Sequence, residues 1–302
     1  MLTRSDIPKL LTAGLKTEFF KAYDWLKTIY QDFTTEVPSN KASEIYAWLW
    51  STPTLRKWRD ERQAKGLREN GFTLVNEDYE ATLEVHRNAL DDDQYGQIKI
   101  RAQQLGSEAK KGYDIFAAAT VEAGVSSVCY DGQNFFDTDH LEGDSGVQSN
   151  YSASWMPLNA TNVKTIIATM GSYKNDQGQL AWVNPTHIMI PKNLEYTAKE
   201  IFDPQFVKVS TNPSQAALSG VLQVIVNPYL SQTGGANAAY YVLDLSQPVK
   251  PFIFQNRQKM TFAALDNAEA YENFMRKKIY YGVDARFAFG YGDWKLAYYA
   301  KG

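Results

Sequence analysis

The sequence contains one cysteine, Cys129, and only three histidines among its 302 residues. One cysteine cannot form an intrachain disulfide, and it cannot supply the several thiolates of a structural zinc site. No window of about 18 apolar residues and no apolar run of signal-peptide length occurs, so the sequence predicts neither a membrane-spanning helix nor a secretory leader. We therefore expect no membrane partner, no processing and a reducing, cytoplasmic setting.

Phosphate-binding signatures are missing as well, since neither the Walker pattern nor a full dinucleotide fingerprint is present. The formal net charge of -3 lacks the basic excess that is usual for a dedicated nucleic-acid binder. Nothing in the pattern calls for a cofactor. The chain is 44% hydrophobic and 14% aromatic, which is enough to bury a substantial core in one large domain or two modest ones.

The strongest helical pattern covers residues 91–123. Three aspartates at its start are good N-cap residues, and Gly124 supplies its end. Small or apolar residues recur every three or four positions: Tyr95, Ile98, Ala102, Leu105, Ala109, Gly112 and Phe116. This pattern predicts a helix roughly 50 Å long. Its internal glycines each cost about 1 kcal/mol relative to alanine, so they mark places where the helix kinks or another element crosses.

The second strong pattern is an alternation of apolar residues from Ile279 to Tyr291, with Lys278 and Asp284 among those on the other face. It predicts a strand roughly 40 Å long with one covered face. A helix and a strand of such length form a thin layer with a poor ratio of buried to exposed surface. We therefore expect neighbouring copies of the chain to complete that layer.

The N-terminal third supplies the predicted contacts between copies. Residues 1–36 have the spacing of an amphipathic helical arm, and strands at 72–75 and 79–85 are predicted to pair as a projecting hairpin. A basic run between these elements suits an acidic neighbour, nucleic acid or solvent. The predicted intersubunit contact residues are Phe19, Tyr23, Arg56, Lys57, Arg59, Arg62, Lys65 and Arg68.

The rest of the chain predicts a surface loop at 126–157, a helix at 159–173 and a compact α/β module at 183–245. The loop holds two motifs that resemble catalytic sites. In FFDTDH, the residues Asp137, Asp139 and His140 suit either a metal-assisted hydrolase or an Asp-rich turn that caps its own backbone, and the turn is favoured. The run EGDSGV resembles the nucleophile motif of serine proteases, but it lacks the following glycine and a recognisable base, so we interpret it as a chance match.

Several motifs in fixed order resemble one family. FFDTDH at 135–140, NPTHIMIPKNLEYTAKEIF at 184–202 and YYGVDARFAFGYGDWKLAYYA at 280–300 look like the major head subunits of Mu-like tailed phages and prophages, which have the Hong Kong 97-type capsid fold. The resemblance covers nearly the whole chain. It implies an α+β fold with an N-arm (1–50), an extended hairpin loop (51–90), a peripheral domain with a spine helix (91–158, spine 91–123), an axial domain (159–249) and peripheral return strands (250–302).

The resemblance also implies a function. The chain would be a major capsid protein, not an enzyme, and its copies would form pentamers and hexamers in an icosahedral virion shell around double-stranded DNA, assembled in the cytoplasm of a bacterial host. Its other implied partners are a separate scaffold or protease, a portal and decoration proteins. A long N-terminal scaffolding extension is missing here, so assembly would need a separate scaffold, or the sequence is the mature form. The crosslinking lysine and asparagine of the founding member of the fold cannot be assigned to positions here, so we predict no covalent crosslinks. The hydrolase and another virion component are the alternatives.

Overall fold

A computed structural model describes residues 6–46, 72–91, 95–203, 218–267 and 270–302. The α-helices of these ranges are α1 (Asp6–Trp25), α2 (Tyr30–Phe33), α3 (Arg87–Asp91), α4 (Tyr95–Ala123), α5 (Ala160–Gly171), α6 (Glu195–Phe202) and α7 (Tyr271–Arg276). The strands are β1 (Thr34–Pro38), β2 (Ser43–Tyr46), β3 (Phe72–Val75), β4 (Glu77–His86), β5 (His187–Ile190), β6 (Gln223–Val226), β7 (Tyr240–Leu243), β8 (Phe252–Leu265), β9 (Lys278–Tyr291) and β10 (Ala297–Ala300). None of the described helices combines the length and the apolar character that crossing a bilayer requires.

The strands form two four-stranded sheets and one ribbon. The long-stranded sheet has the order β1-β8-β9-β4, with β1 parallel to β8 and the other neighbours antiparallel. The second sheet has the order β10-β7-β5-β6, in which only β5 and β6 are parallel. The ribbon consists of β2 and β3, whose pairing brings Tyr46 opposite Phe72 at the two ends of the stretch 47–71.

The long helix and the long strand are both present, as the sequence predicted. Helix α4 has 29 residues, about 43 Å at the usual rise per residue, and its described residues begin at Tyr95. Asp91, the predicted first residue, ends α3, and residues 92–94 lie outside the described ranges. Strand β9 has 14 residues, and its apolar side chains are buried from Ile279 to Phe287 at every second position. The predicted helix at 159–173 and the α/β module are also present, as α5 and as the second sheet with α6.

The buried stripe of α4 agrees with the predicted one only in its first half. Ile98 and Ala102 are buried as expected, but further on the buried apolar residues are Tyr113, Ala117, Ala118 and Val121. Phe116, predicted to be in the core, lies five turns after Ile98 on the same side of the helix, yet it is 37% exposed. The buried face therefore turns along α4, because its first half packs on α1 and its second half on the main core.

Three other expectations about the peripheral elements are wrong. Strand β4 does not pair with β3; it runs antiparallel to β9, with Tyr79 opposite Ala285, while β3 pairs with β2. Residues 297–300 join the second sheet through β7 instead of the long-stranded sheet. The arm is not one helix to residue 36, because α1 ends at Trp25 and β1 begins at Thr34. In each case a partner distant in sequence decides the pairing.

The main core fills the second sheet and its junction with the second half of α4. A smaller cluster covers the far end of the long strands, and its members come from α1, α4, β4 and β9: Leu15, Val85, Ile98, Ala102, Ile279 and Tyr281. Helix α1 crosses α4 at Gly106, where an added Cβ would lie 2.4 Å from the carbonyl oxygen of Phe19. The predicted crossing at an internal glycine of α4 is thus confirmed at Gly106.

Candidate functional site

The three residues of the predicted metal site do not converge. The carboxylate of Asp137 accepts hydrogen bonds from the backbone amides of Thr138 and Asn134, at 2.8 and 3.3 Å, which is the turn-capping role that the sequence favoured. Asp139 lies 3.4 Å from the side-chain nitrogen of Gln133. His140 is fully buried and faces a different carboxylate, so the residues offered for a metal-assisted hydrolase form no common site.

The buried imidazole belongs to a hydrogen-bonded cluster with Cys129 and Asp131. His140 Nδ1 lies 2.6 Å from Asp131 Oδ2, and Cys129 Sγ donates to Asp131 Oδ1 at 3.0 Å. His140 Nε2 donates to Asn150 Oδ1 at 3.1 Å, since the amide nitrogen of Asn150 donates to the carbonyls of Phe135 and Trp294. Among the described residues these three side chains are close enough to share an ion, within 4.8 Å.

The electrostatics of this cluster favour a structural role over metal binding. Burial raises the pKa of the Cys129 thiol, which keeps the sulfur protonated and therefore a poor nucleophile and metal ligand. Burial also acts to raise the pKa of Asp131, but the hydrogen bond and the charge of His140 outweigh it and lower that pKa. The short distances to Asp131 are those of hydrogen bonds, whereas ligands around a tetrahedral zinc ion lie about 3.4 Å apart.

A second buried network ties the same loop to the C-terminal segment. Lys295 Nζ lies 2.6 and 2.7 Å from the two carboxylate oxygens of Glu142, and both side chains are more than nine-tenths buried. The indole nitrogen of Trp294 donates to Glu142 at 2.9 Å, and the Tyr130 hydroxyl donates to it at 2.5 Å. The His140 ring stacks on Trp294 at 4.1 Å, which joins the two networks. Together they clamp the 129–150 loop onto residues 293–297.

These two hydrogen-bonded networks explain why neither FFDTDH nor EGDSGV forms a catalytic site. In EGDSGV the Ser145 hydroxyl donates to the carbonyl of Gly146 at 2.8 Å and accepts from the Glu142 amide at 3.1 Å. His140, the nearest histidine in sequence, is occupied by Asp131 and Asn150 and cannot serve as the base for this serine. The loop was predicted to lie on the surface, yet Phe135, His140 and Asn150 are fully buried.

The sequence reasoning missed Trp294 and Lys295. The charge pairs with Glu142, which lies about 150 positions away, and no local pattern links the two. The hint in the sequence was the position of Lys295, a charged residue inside the apolar run around LAYYA. A lysine in such a run is almost never buried without a partner.

An open apolar groove lies between α4 and the edge of the long-stranded sheet. Its first hollow, of about 190 Å³, is lined chiefly by Tyr79, Gly112, Phe116, Val283 and Phe287. A second hollow, of about 380 Å³, shares Tyr79 and Phe116 and continues past β3 toward the C-terminal end of α4. The groove is a surface on which another polypeptide segment can bury apolar side chains.

The edge of that sheet is strand β4, whose outward residues are mostly acidic. Asp78, Glu80 and Glu84 are exposed, with Asp78 next to Arg286 and Glu84 next to Lys278, while the alternate residues from Tyr79 to Val85 are partly or fully covered. Glu77, at the start of the strand, is exposed on the groove side. The period-two pattern predicted for this strand is therefore confirmed, although its partner differs. Charged side chains on an edge strand also discourage indiscriminate edge-to-edge pairing.

The predicted intersubunit contacts have different placements. Phe19 is fully buried in its own chain, where its ring lies 5.5 Å from that of Phe262. It therefore has no exposed surface for a neighbouring copy while α1 stays on α4. Tyr23 is half-buried, with Lys110 Nζ 4.4 Å from its ring centre. The basic residues Arg56, Lys57, Arg59, Arg62, Lys65 and Arg68 lie outside the described residues.

Comparison with known proteins agrees with the resemblance. The family model described as "Mu-like prophage major head subunit gpT" matches residues 9–156, 148–230 and 231–302. The Mu-like prophage FluMu major head subunit of Haemophilus influenzae is 27% identical over 297 residues, covering 98% of this chain and 74% of the relative. The major capsid protein of Escherichia phage Mu is 25% identical, covering the whole chain and 75% of the relative.

Solved capsids have the same fold. The procapsid subunit of bacteriophage JBD30 is 26% identical, with a TM-score of 0.62 over 100% of this chain and 76% of that one. The virus-like particle subunit of Pyrococcus furiosus, 10% identical with a TM-score of 0.55 over 96% of this chain and 98% of that one, shares the fold alone. With the Hong Kong 97-type fold in place and the family model matching nearly its full length, this chain belongs to the family of Mu-like prophage major head subunits, the capsid proteins of Mu-like phage heads.

Proposed function

We propose that copies of this chain associate into pentamers and hexamers that close into an icosahedral shell around double-stranded DNA. The observation that carries the proposal is the open apolar groove beside α4, because its aromatic walls stay in contact with water unless a second copy covers them. Phe116, which lines both hollows, is 37% exposed. An exposed apolar groove of this kind is unfavourable in water for a subunit that stays monomeric, so it marks an interaction site.

The opposite charges of two segments of the chain also support contact between copies. The basic residues predicted as contacts, from Arg56 to Arg68, have the opposite sign to the exposed acidic residues of β4. Complementary charges steer association and select one register over others. In the proposed shell the basic stretch of one copy lies against the acidic edge of the next. The exposed end of α1, at Tyr23 and Trp25, is a second proposed contact.

The tip of the β8–β9 hairpin offers a further contact. Helix α7 at this tip exposes Tyr271, Phe274 and Met275 at 67%, 77% and 60%. Three large apolar side chains on a six-residue helix are unfavourable in water, and burying each stabilises an interface by about 1.5 to 3 kcal/mol. We assign this tip to contacts between subunits of the shell.

The proposed shell also has partners: other head proteins and the enclosed DNA. A separate scaffold or protease, a portal and decoration proteins complete the particle, and assembly takes place in the cytoplasm of the bacterial host. The enclosed DNA is held without base recognition, for which the net charge of -3 gives support, since a sequence reader usually has a basic surface. The role is structural, and the proposal includes no catalytic step.

Assembly of the purified protein tests the proposal directly. Sedimentation velocity and negative-stain electron microscopy are expected to show closed shells, with rings of five and six copies as the intermediates. The protein is examined alone and with the other head proteins of its particle. A species that stays monomeric under every assembly condition would contradict the proposal, and tubes or isolated rings in place of shells would favour another virion component.

A further inference from the structure

Both ring nitrogens of the fully buried His140 face hydrogen-bond acceptors. Nδ1 lies 2.6 Å from the carboxylate oxygen Oδ2 of Asp131, and Nε2 lies 3.1 Å from the amide oxygen Oδ1 of Asn150. A neutral imidazole has one N–H donor and one lone-pair acceptor, so it can satisfy only one of these two contacts. At the other contact two acceptors would face each other without a proton between them, which is costly in a buried site.

The acceptor at Nε2 is fixed by the surroundings of Asn150. The amide nitrogen of Asn150 donates to the carbonyls of Phe135 and Trp294 at 2.8 and 3.1 Å. Its oxygen Oδ1 also accepts the backbone N–H of Asp137 at 2.9 Å. Turning the amide over would break all three bonds, because it would set the nitrogen against an N–H donor and the oxygen against two carbonyls. The oxygen of Asn150 therefore stays toward the ring.

The acceptor at Nδ1 is an anion. Asp131 Oδ1 accepts the Cys129 thiol at 3.0 Å and the backbone N–H of Gln133 at 3.1 Å, so the carboxylate is satisfied in its ionised form. Burial acts to raise the pKa of Asp131, but the bonds from His140 and these donors outweigh it and lower that pKa. The ring also stacks on the indole of Trp294 at 4.1 Å, within the range of a cation–π contact. The surroundings of the ring thus favour its positively charged form.

We propose that His140 is a buried imidazolium whose second proton latches the 129–150 loop onto residues 293–297, so that the loop is released when that proton is lost at alkaline pH. Without the proton, one ring nitrogen repels the acceptor that it faces, and the stack on Trp294 loses its cation. The stability from this contact is fully present below about pH 6.5, where an unfolded histidine is also protonated, and is lost as the folded subunit gives up the proton at higher pH. The latch belongs to the single subunit and does not depend on the proposed shell.

The other ionisable groups around the ring keep their charge over the alkaline range. Burial raises the pKa of the Cys129 thiol and of the Tyr130 and Tyr173 hydroxyls, so these groups remain protonated. Burial acts to lower the pKa of Lys295, but the nearby carboxylates outweigh it and raise that pKa. The remaining ionisable groups of the loop and the C-terminal segment are carboxylates, a class that titrates in acid: Asp137, Asp139, Glu142 and Asp293. A change of charge at His140 can therefore be followed separately.

Nuclear magnetic resonance of the histidine rings tests the proton directly. The unassembled subunit, labelled with ¹⁵N-histidine, gives ring signals from three residues, and His86→Gln and His187→Gln identify two of them. At pH 8, where a free histidine is neutral, the ring of His140 is expected to have a proton on both nitrogens and the ¹⁵N shifts of an imidazolium. A ring with only one protonated nitrogen in the folded subunit at pH 8 would overturn the proposal.

Hydrogen exchange then tests whether the proton holds the loop. Protection of the amides in 129–150, corrected for the intrinsic effect of pH, is expected to fall at the pH at which the second proton is lost, while protection of 113–121 in α4 is retained. Asp131→Asn keeps the size of the side chain but removes its charge, so both events should move to lower pH by about one unit or more. The control is Asp139→Asn, which changes an exposed carboxylate on the same loop and should move neither event. Loop protection that does not follow the second proton, or equal shifts in the two variants, would refute the latch.

Discussion

Single residues decide how the FFDTDH loop is held. Glu142 and Lys295 are 4% and 6% exposed, and each supplies the charge that the other requires in a buried site. Burial acts to lower the pKa of Lys295, but the carboxylates of Asp293 and Glu142 outweigh it and raise that pKa, so the lysine stays charged. His140 is stacked on Trp294 and held by Asp131, which turns a metal-like motif into part of the core.

Removing the charge of Lys295 is expected to destabilise the subunit strongly. Lys295→Ala leaves Glu142 buried without its partner, and the free energy of unfolding should fall by about 3 to 5 kcal/mol. Urea unfolding of the unassembled subunit, followed by tryptophan fluorescence, measures this loss. The control is Lys278→Ala, which breaks the exposed pair with Glu84 at 2.8 Å and should change stability little. Equal effects of the two substitutions would show that the buried network does not hold the loop.

Whole elements are positioned by long-range contacts. The helical pattern of 95–123 and the alternation of 278–291 are evident in the sequence because each depends only on local spacing. The pairing of β4 with β9 and of β3 with β2 was not evident, since a hairpin between β3 and β4 has the same local signals. The apolar stripe of α4 shifted in its second half, because the residues it faces change from α1 to the aromatic core.

The two internal glycines of α4 allow a test at this scale. Gly106→Ala should lower the free energy of unfolding and loosen α1, because the new Cβ would lie 2.4 Å from the carbonyl oxygen of Phe19. Gly112→Ala should instead raise it, by about 1 kcal/mol, through better helix propensity. Thermal unfolding gives the sign of each effect, and hydrogen exchange in residues 12–25 reports on α1. If both substitutions stabilise the subunit, α1 does not cross α4 as closely as described.

At the scale of the whole molecule, charge and apolar surface are arranged for association. The groove beside α4 is bordered by the acidic edge strand β4, which supplies Tyr79 and Glu80 to its lining, whereas the exposed tip helix α7 is formed by other residues, between β8 and β9. Two such surfaces suit a protein with several neighbours, since each can contact a different copy. The length of the helix and strand had already predicted that neighbouring copies cover part of each subunit. In the structure, α1 covers more of its own chain than the sequence suggested.

Reversing the charge of the basic stretch should separate folding from assembly. Arg56→Glu, Arg59→Glu and Arg62→Glu in one chain are expected to abolish shells, because in the proposed shell the new carboxylates would meet the acidic edge of a neighbour. The control has the same change in net charge at three exposed lysines, Lys174→Glu, Lys259→Glu and Lys301→Glu, and should still assemble. Sedimentation velocity at low and high salt measures both. Loss of shells in both variants alike would point to net charge instead of a specific contact.

The sequence by itself determined the long helix, the long strand, the α/β module at 183–245 and the family, because each rests on local periodicity or on motifs in a fixed order. It also favoured a turn-capping role for Asp137, which the hydrogen bonds to Asn134 and Thr138 bear out. Only the tertiary structure decided which strands pair, that His140 is a core residue and that Glu142 meets Lys295. These outcomes depend on residues far apart in the chain, whose approach is set by the packing of whole elements and leaves no trace in local spacing.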